Sequence, residues 1–149
     1  MSILSAITEW MAVNSEGIYG TRAWKVCGEG PSVEGTVRDT SVYQPLPPIS
    51  DSSPGATRSA GARDSSSKPF TALDVRFTAK GGTLYAFLMG WPDREAVIKS
   101  LASAGKIGNV ELLGFKGKLQ WSRDESGLNV AMPAEKPCEH AIVLKIAVA

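Results

Sequence analysis

The sequence predicts a mainly β fold, an antiparallel β-sandwich of about seven to eight strands with one short N-terminal helix. From Phe70 onward, short apolar runs recur with glycine, proline or aspartate turns between them. Before them, residues 2–14 carry apolar side chains at helical spacing. We therefore expect an N-terminal helix and joint over residues 1–16. A β-sandwich domain with a long Pro/Ser-rich loop at residues 40–69 should follow over residues 17–149.

The first element, Ser2–Asn14, is predicted to be an amphipathic helix. Ser2 is a residue type that caps helices, because its hydroxyl accepts a hydrogen bond from a free backbone N–H group. The apolar face of the helix needs something to lie against. We predict that it is an association surface, covered either by the chain's own sandwich or by a second copy in a homodimer, and we favour the homodimer. The residues of this surface are Ile3, Leu4, Ile7, Trp10 and Met11.

A strand and a long loop are expected next. The strand is predicted at Ala23–Gly28 and ends in a Gly-Glu-Gly-Pro turn. Thr40–Pro69 then contains eight serines, five prolines and two glycines, which make up half of its thirty residues. No strand or helix period is visible there, and the segment cannot bury enough apolar surface to offset the entropy lost on ordering it. We therefore predict that it is a mobile loop.

Seven further strands are predicted after this loop. Thr83–Met89 is apolar on both faces, which is typical of a central strand. Gly81-Gly82 and Asp124–Gly127 are predicted turns between neighbouring strands. The strands are expected at Leu73–Ala79, Thr83–Met89, Glu95–Leu101, Val110–Leu113, Lys118–Arg123, Leu128–Met132 and Ala141–Val148.

Two of these segments carry a finer expectation. Leu73, Val75 and Phe77 alternate with polar residues, so their side chains should face the core. Asp93–Ala104 contains residue types that also tolerate a helix. Alternation favours a strand in this segment, and we predict a strand.

Size and charge exclude several classes of protein. A chain of 149 residues has the length of one domain, and its net charge of +1 without a clustered basic stripe argues against nucleic-acid binding. No run of about 20 apolar residues is present, so no membrane span is expected. The first residues lack the features of a signal peptide. The chain as given is therefore expected in the cytoplasm, although a longer parent protein with an upstream signal could be secreted.

No residue pattern indicates catalysis, a cofactor or a metal site. His140 is the only histidine, and with Cys138 it supplies two ligands where a tetrahedral zinc site needs more. The glycines lack phosphate-binding spacing. Cys27 and Cys138 are expected to be small buried side chains rather than a disulfide. The acids available for catalysis are expected to be turn residues, caps or solvated strand positions: Glu16, Asp74, Glu111, Asp124 and Glu125.

Tryptophan rings raise the question of sugar binding, since sugar-binding sandwiches stack aromatic rings on sugars. Trp91 and Trp121 are the candidates for stacking, because they lie in or just beyond predicted strands. Packing in the core or between domains is the favoured alternative for both, because tryptophan is a large apolar side chain.

Two runs of sequence resemble motifs of the α-L-fucosidases of glycoside hydrolase family 29. They are NSEGIYGTRAWKVCGEGP at Asn14–Pro31 and DVRFTAKGGTLYA at Asp74–Ala86. In that family a catalytic β/α barrel precedes a β-sandwich, and the likeness covers residues 9–30 and 70–148. The resemblance implies that this chain holds the last barrel helix, the joint and the sandwich. It also implies that Trp10 faces the barrel. The barrel is missing from this chain, and with it the catalytic Asp and Glu that the barrel carries.

The resemblance leads us to expect a non-catalytic C-terminal accessory domain that stabilises or assembles a fucosidase barrel. The alternative is a free-standing module that binds carbohydrate or pairs subunits. A third hypothesis, less favoured, is an unrelated small enzyme that uses pairs of Asp and Glu. The partners to consider are therefore a fucosidase barrel, a second copy of the chain and a glycan.

The predicted loop can be tested by limited proteolysis. Trypsin should cut first after Arg58 or Arg63, because exposed polar loops are the usual sites of nicking. The products can be identified by mass spectrometry over a time course. If cleavage begins within Phe70–Ala149 instead, the folded core has been assigned to the wrong part of the chain.

Overall fold

The computed structural model describes residues 2–33 and 69–149, and in this part of the chain it confirms an antiparallel β-sandwich with one N-terminal helix. Ser2 caps the helix as expected, since its hydroxyl accepts the N–H of Ser5 at 3.2 Å. The elements are α1 (Ile3–Asn14), β1 (Arg22–Glu29), β2 (Val75–Lys80), β3 (Thr83–Leu88), β4 (Glu95–Ile98), β5 (Ile107–Leu112), β6 (Trp121–Asp124), β7 (Gly127–Ala131) and β8 (Ile142–Val148).

The eight strands form two sheets in which every pairing is antiparallel. The larger sheet has the order β1-β2-β3-β8-β5, and the smaller has the order β4-β7-β6. The predicted turns are confirmed at Gly81, which has a positive φ of 58°, and at the hairpin where Asp124 pairs with Gly127. Most of the predicted loop Thr40–Pro69 lies outside the described residues.

Strand β3 is central, as its sequence predicts, and it is buried on both faces. Leu84, Ala86 and Leu88 face the core between the two sheets. Tyr85 and Phe87 point to the other face of the larger sheet, where they form a second apolar cluster. The side chains of a strand alternate between faces, so a strand apolar on both faces requires a cover on each side.

Four expectations about the strands need correction. Leu73 is 65% exposed rather than inward-facing, because β2 begins only at Val75. The segment Asp93–Ala104 is a strand only over Glu95–Ile98. A 3₁₀ turn follows at Lys99–Leu101 and places the fully buried Leu101 in the core. The other two boundary shifts are an earlier start of β5, at Ile107, and a later start of β6, at Trp121.

Glu29 joins the two sheets at one side of the sandwich. Its carboxylate oxygens accept the N–H groups of Lys99 and Ser100 at 2.7 and 2.6 Å, and the Ser100 hydroxyl also donates to it. The donor groups lie at the start of a 3₁₀ turn, where backbone N–H groups lack partners within the turn. The end of β1 is thereby fixed to the segment that follows β4.

Arg123 makes a second tie, between β6 and the segment that leads into β5. Its guanidinium donates to the carbonyls of Gly105 at 2.8 Å and Ala102 at 2.7 Å, and also to that of Ala104. Three carbonyls are thus satisfied by one planar group, which suits the fork geometry of arginine.

Replacing Glu29 should loosen the link between the sheets. We expect Glu29→Gln to lower the free energy of unfolding by about 1–2 kcal/mol, because one charge-assisted acceptor is lost. Urea denaturation of the variant and the wild type measures this difference. Glu125→Gln, at an exposed hairpin position, is the matched control and should change stability by less than about 0.5 kcal/mol. Equal effects of the two substitutions would show that the link does not stabilise the fold.

Candidate functional site

Helix α1 packs against the outer face of the larger sheet, where it meets the second apolar cluster. The ring of Trp10 lies 6.3 Å from that of Phe87, centroid to centroid, and Val13 packs against the same cluster. The indole N–H of Trp10 donates to the carbonyl of Ala141 at 2.5 Å. Trp10, which the resemblance places toward a missing barrel, therefore lies against the chain's own sandwich.

The joint after α1 lies flat on the same face of the sheet. A Cβ atom at Gly17 would stand 3.0 Å from the ring of Phe87 and 3.3 Å from the side chain of Val143. The hydroxyl of Thr78 donates to the carbonyl of Gly17 at 2.6 Å. A Cβ atom here would require these side chains to move by a few tenths of an ångström, so glycine allows the joint to lie close to the sheet.

A carboxylate beside this glycine ties the joint to two strands. Tyr85 Oη and Lys145 Nζ both lie 2.8 Å from Oε2 of Glu16. The hydrogen bond from Lys145, followed by that from Tyr85, lowers the pKa of Glu16. The bond to Glu16 raises the pKa of Lys145, and burial is the main cause that raises the pKa of Tyr85. A carboxylate held in its charged form by two donors positions the joint and is a weak general base.

Asn14 closes the contact at the end of α1. It is fully buried, and its amide nitrogen donates to the carbonyl of Trp10 at 3.1 Å and to Sγ of Cys138 at 3.8 Å. Its Oδ1 has no hydrogen-bond partner among the described residues. The thiol of Cys138 in turn donates to the carbonyl of Ala141 at 3.4 Å. This carbonyl therefore accepts hydrogen bonds from both Trp10 and Cys138.

The two cysteines differ from expectation in their burial. Cys27 is exposed and Cys138 is half-buried, and both are free thiols. Cys27 is exposed because β1 is an edge strand of the larger sheet. Within residues 2–33 and 69–149, no group of three or more His, Cys, Asp or Glu side chains is placed to hold a metal ion. In the same ranges no helix is long and apolar enough to cross a bilayer.

The first two turns of α1 remain uncovered. Ile3, Leu4 and Ile7 are 80%, 76% and 53% exposed, and we call these three residues the apolar helix surface. A shallow groove of about 420 Å³ runs beside it, between the helix and the start of β8. The residues that line the groove are Ile3, Ala6, Ile7, Trp10, His140 and Ala141. The predicted association surface is thus open at its N-terminal end, while Trp10 is packed and Met11 is half-buried.

The two tryptophans considered for sugar stacking are both half-buried and pack against the core between the sheets. The ammonium of Lys136 lies 5.5 Å from the ring of Trp91. The ring of Trp24 stands edge-on to that of Phe77, with the centroids 5.1 Å apart. Stacking of Trp91 and Trp121 on a sugar stays a prediction.

Asp74 is fully buried, which corrects its assignment to a solvated position. Its carboxylate accepts the backbone N–H of Ser32 at 2.7 Å, and the N–H and hydroxyl of Thr71 at 2.8 and 3.1 Å. Burial raises the pKa of Asp74, but these hydrogen bonds outweigh it and hold the pKa at about 2. The carboxylate ties the end of β1 to the start of β2. It was missed because no local pattern shows which loops meet in space.

The remaining acids also have structural or solvated places. Asp124 accepts the N–H of Ser126 at 2.8 Å and the amide of Asn129 at 3.0 Å, and bonds from Ser126 are the main cause that lowers its pKa. Glu111 accepts the amide of Asn109 at 2.8 Å. Both carboxylates are therefore held by hydrogen bonds to residues close in the sequence.

Comparisons with known proteins agree with this architecture. The profile of a family described as Alpha-L-fucosidase C-terminal domain matches residues 68–147. The tissue α-L-fucosidase of Bos taurus is 26% identical over 151 residues, and that of Mus musculus is 23% identical over 148 residues. Both alignments cover 96% of this chain, but 23% and 24% of the relatives, so the chain spans about a quarter of their length.

Solved structures show the same fold. The α-L-fucosidase isoenzyme 1 from Paenibacillus thiaminolyticus matches 98% of this chain and 26% of its own, with a TM-score of 0.57 and 16% identity. The α-fucosidase of Thermotoga maritima matches 93% of this chain and 24% of its own, with a TM-score of 0.56 and 16% identity.

The role of Asp74 predicts a specific dependence of stability on pH. Its pKa is depressed in the folded state, so its stabilisation is present above the ordinary value of 3.8 and is lost as pH falls through about 2. Asp74→Asn should lower the free energy of unfolding at pH 7 by about 2 kcal/mol. The difference from wild type should shrink between pH 4 and pH 2. Denaturant titrations across this range measure the difference, and Asp93→Asn at an exposed position is the control. A difference in the free energy of unfolding that does not depend on pH would contradict the role of Asp74.

Proposed function

Because the chain belongs to the α-L-fucosidase C-terminal domain family, we propose that it is a non-catalytic accessory domain that packs on a fucosidase catalytic barrel and stabilises it. The observation that carries the proposal is the apolar helix surface. Its three aliphatic side chains are held open to solvent on a helix that Trp10 and Asn14 fix to the sandwich. Exposed apolar patches of this kind mark contacts with another domain or protein.

The size of this surface favours a barrel on the same polypeptide. Three side chains offer far less than the roughly 800 Å² per partner that stable complexes between separate proteins bury. A covalent connection raises the effective concentration of the partner to the millimolar range, so a small surface is sufficient. The relatives, which are about four times as long as this chain, support such an arrangement.

The places of the acids support the non-catalytic part of the proposal. Glu16, Asp74 and Asp124 each accept hydrogen bonds that hold a joint, a loop or a hairpin. A glycosidase of the usual type needs two carboxyl groups on either side of one bond, one of them with a raised pKa. The pKa shifts of these three acids all go in the opposite direction.

Two alternatives remain, and one has specific support. Pairing of two copies through α1 is favoured by the 76% exposed Leu4, which lies on the helix next to an apolar groove. A two-fold pair would bury the same patch on both copies. Carbohydrate binding would depend on the rings of Trp91 and Trp121. Both rings pack against the core, which leaves less of each ring free to stack on a sugar, so this alternative is less favoured.

The non-catalytic role predicts that the isolated chain has no α-L-fucosidase activity. An aryl α-L-fucoside, assayed at high enzyme concentration, should be hydrolysed at the background rate, because the carboxylate pair is absent. Bovine tissue α-L-fucosidase in the same buffer is the positive control. Turnover above background that disappears on mutation of an Asp or Glu of this chain would refute the proposal.

The packing role predicts that a fucosidase barrel from the same organism has a higher melting temperature when this chain is fused to its C-terminus than when the barrel is alone. Ile7→Asp should abolish the increase, because it places a charge on the apolar helix surface. Ala12→Asp, at an exposed position of the same helix, should preserve it. Native mass spectrometry tests the alternative, in which two copies of the chain pair through α1. A wild-type dimer that Ile7→Asp dissociates, together with no effect on the barrel, would favour pairing over the accessory role.

A further inference from the structure

The turn between α1 and β1 carries two large apolar side chains that the domain does not cover. Ile18 is 43% exposed and Tyr19 is 67% exposed, and we call these two residues the apolar pair. Single exposed apolar side chains are common on protein surfaces, but two adjacent ones on one tight turn form a compact patch. The hydroxyl of Tyr19 also has no hydrogen-bond partner within residues 2–33 and 69–149, so it is free to bond to an occupant.

The backbone under the apolar pair is already ordered. The N–H groups of Ile18 and Tyr19 both donate to the carbonyl of Ser15, at 3.0 and 2.9 Å. The hydroxyl of Thr21 donates to the carbonyl of Ile18 at 2.7 Å. Gly20 completes the turn with a φ of +70°, a conformation that glycine adopts without strain. A partner that covers the pair therefore loses little entropy in fixing this backbone.

The residues just before the apolar pair fix the turn to the larger sheet. Gly17 is buried, and its carbonyl accepts the hydroxyl of Thr78 at 2.6 Å. The carboxylate of Glu16 is bound at 2.8 Å by both Tyr85 and Lys145. The apolar pair is thus presented to solvent from a fixed position on the sandwich, as the contact residues of pre-organised interfaces are.

Two cations border the apolar pair. Lys80 lies close to the turn, since a Cβ atom at Gly20 would stand 3.4 Å from its Nζ. Arg22 is exposed at the start of β1, three residues after Tyr19. Lys80 is within electrostatic reach of Glu16, but neither cation forms an ion pair within the described residues. A complementary surface is therefore apolar at its centre and carries carboxylates at its rim.

The apolar pair and the apolar helix surface lie beyond opposite ends of the packed part of α1. The helix has 12 residues, so at 1.5 Å per residue it is about 18 Å long. The helix surface occupies its first two turns, whereas Ile18 and Tyr19 follow its last residue. A single apolar contact leaves a partner free to rotate about it. Two contacts separated by the length of a helix fix the orientation of the partner.

We propose that the apolar pair inserts into an apolar depression on a fucosidase catalytic barrel, and that carboxylates around the depression pair with Lys80 and Arg22. The proposal rests on the proposed function and adds a second contact, which sets the orientation of the barrel on the sandwich. Tyrosine is enriched among the residues that dominate binding at interfaces. A second copy of the chain is a less suitable occupant, because it would bring the same two cations to the contact.

The place of the pair in the chain favours the barrel as its occupant. The family profile matches residues 68–147 as a C-terminal domain, and the relatives are about four times as long as this chain. Most of their length therefore precedes the sandwich. Ile18 and Tyr19 lie in the segment that leads into the sandwich from that side.

The experiment compares two double variants in the fusion of a fucosidase barrel with this chain. Ile18→Ser/Tyr19→Ser should abolish the rise in melting temperature that the wild-type chain gives the barrel. Phe70→Ser/Leu73→Ser is the matched control, because these side chains are 61% and 65% exposed, and it should preserve the rise. In the isolated chain both variants should unfold at the urea midpoint of the wild type, since exposed side chains contribute little to stability.

Photocrosslinking shows directly what covers the pair. Benzoylphenylalanine in place of Tyr19 should link to a peptide of the barrel on irradiation of the fusion, and mass spectrometry identifies that peptide. The variant Arg22→Glu/Lys80→Glu should lower the yield of this link by about tenfold, because it repels carboxylates at the rim. Lys25→Glu/Lys106→Glu changes the net charge equally at exposed positions away from the turn, and it should leave the yield unchanged.

The outcomes distinguish this contact from the accessory role itself. A wild-type fusion that melts no higher than the barrel alone would overturn the accessory role and this contact with it. A higher melting temperature that Ile18→Ser/Tyr19→Ser retains, without a link from position 19 to the barrel, would overturn this contact alone. Equal loss in both serine variants would show that the effect is not specific to the pair. A link between position 19 of two molecules would assign the pair to a contact between copies.

Discussion

The fold depends on a central strand that is apolar on both faces. On one face of β3, Leu84 and Leu88 fill the space between the sheets; on the other, Tyr85 and Phe87 need a separate cover. The smaller sheet supplies the first cover, and α1 supplies the second. Each fully buried large apolar side chain contributes roughly 1.5–3 kcal/mol, so neither face of the strand can be left in water. The helix is therefore part of the domain and not only a connection to something before it.

Three carboxylates connect segments that are far apart in the sequence. Glu29 holds the end of β1 to the turn after β4, Asp74 holds it to the start of β2, and Glu16 holds the joint to β3 and β8. Each carboxylate accepts hydrogen bonds from groups that would otherwise lose water without compensation. An acid used in this way is kept ionised and in a fixed position.

The apolar helix surface is left without cover in the described part of the chain. It presents aliphatic side chains, so it suits a partner with a matching apolar patch.

Sequence patterns were enough to determine the elements and the class of fold. The alternation in Val75–Lys80, the two-sided apolar run of β3 and the turn at Gly81 are local signals, and each describes a backbone geometry that neighbouring residues set by themselves. The family resemblance rests on the same kind of contiguous run. For this reason the sandwich, the helix and the relation to fucosidases could all be predicted before any contact was known.

Contacts between distant residues could be decided only by the tertiary structure. Spacing along the chain does not reveal that Glu16 meets Lys145, that Asp74 is buried between two loops, or that Trp10 reaches the carbonyl of Ala141. The same holds for Leu73, which is exposed although it fits the apolar alternation, because the alternation begins two residues before the strand does at Val75. Burial depends on which segments cover one another, and that coverage is a property of the assembled sheets that no single segment encodes.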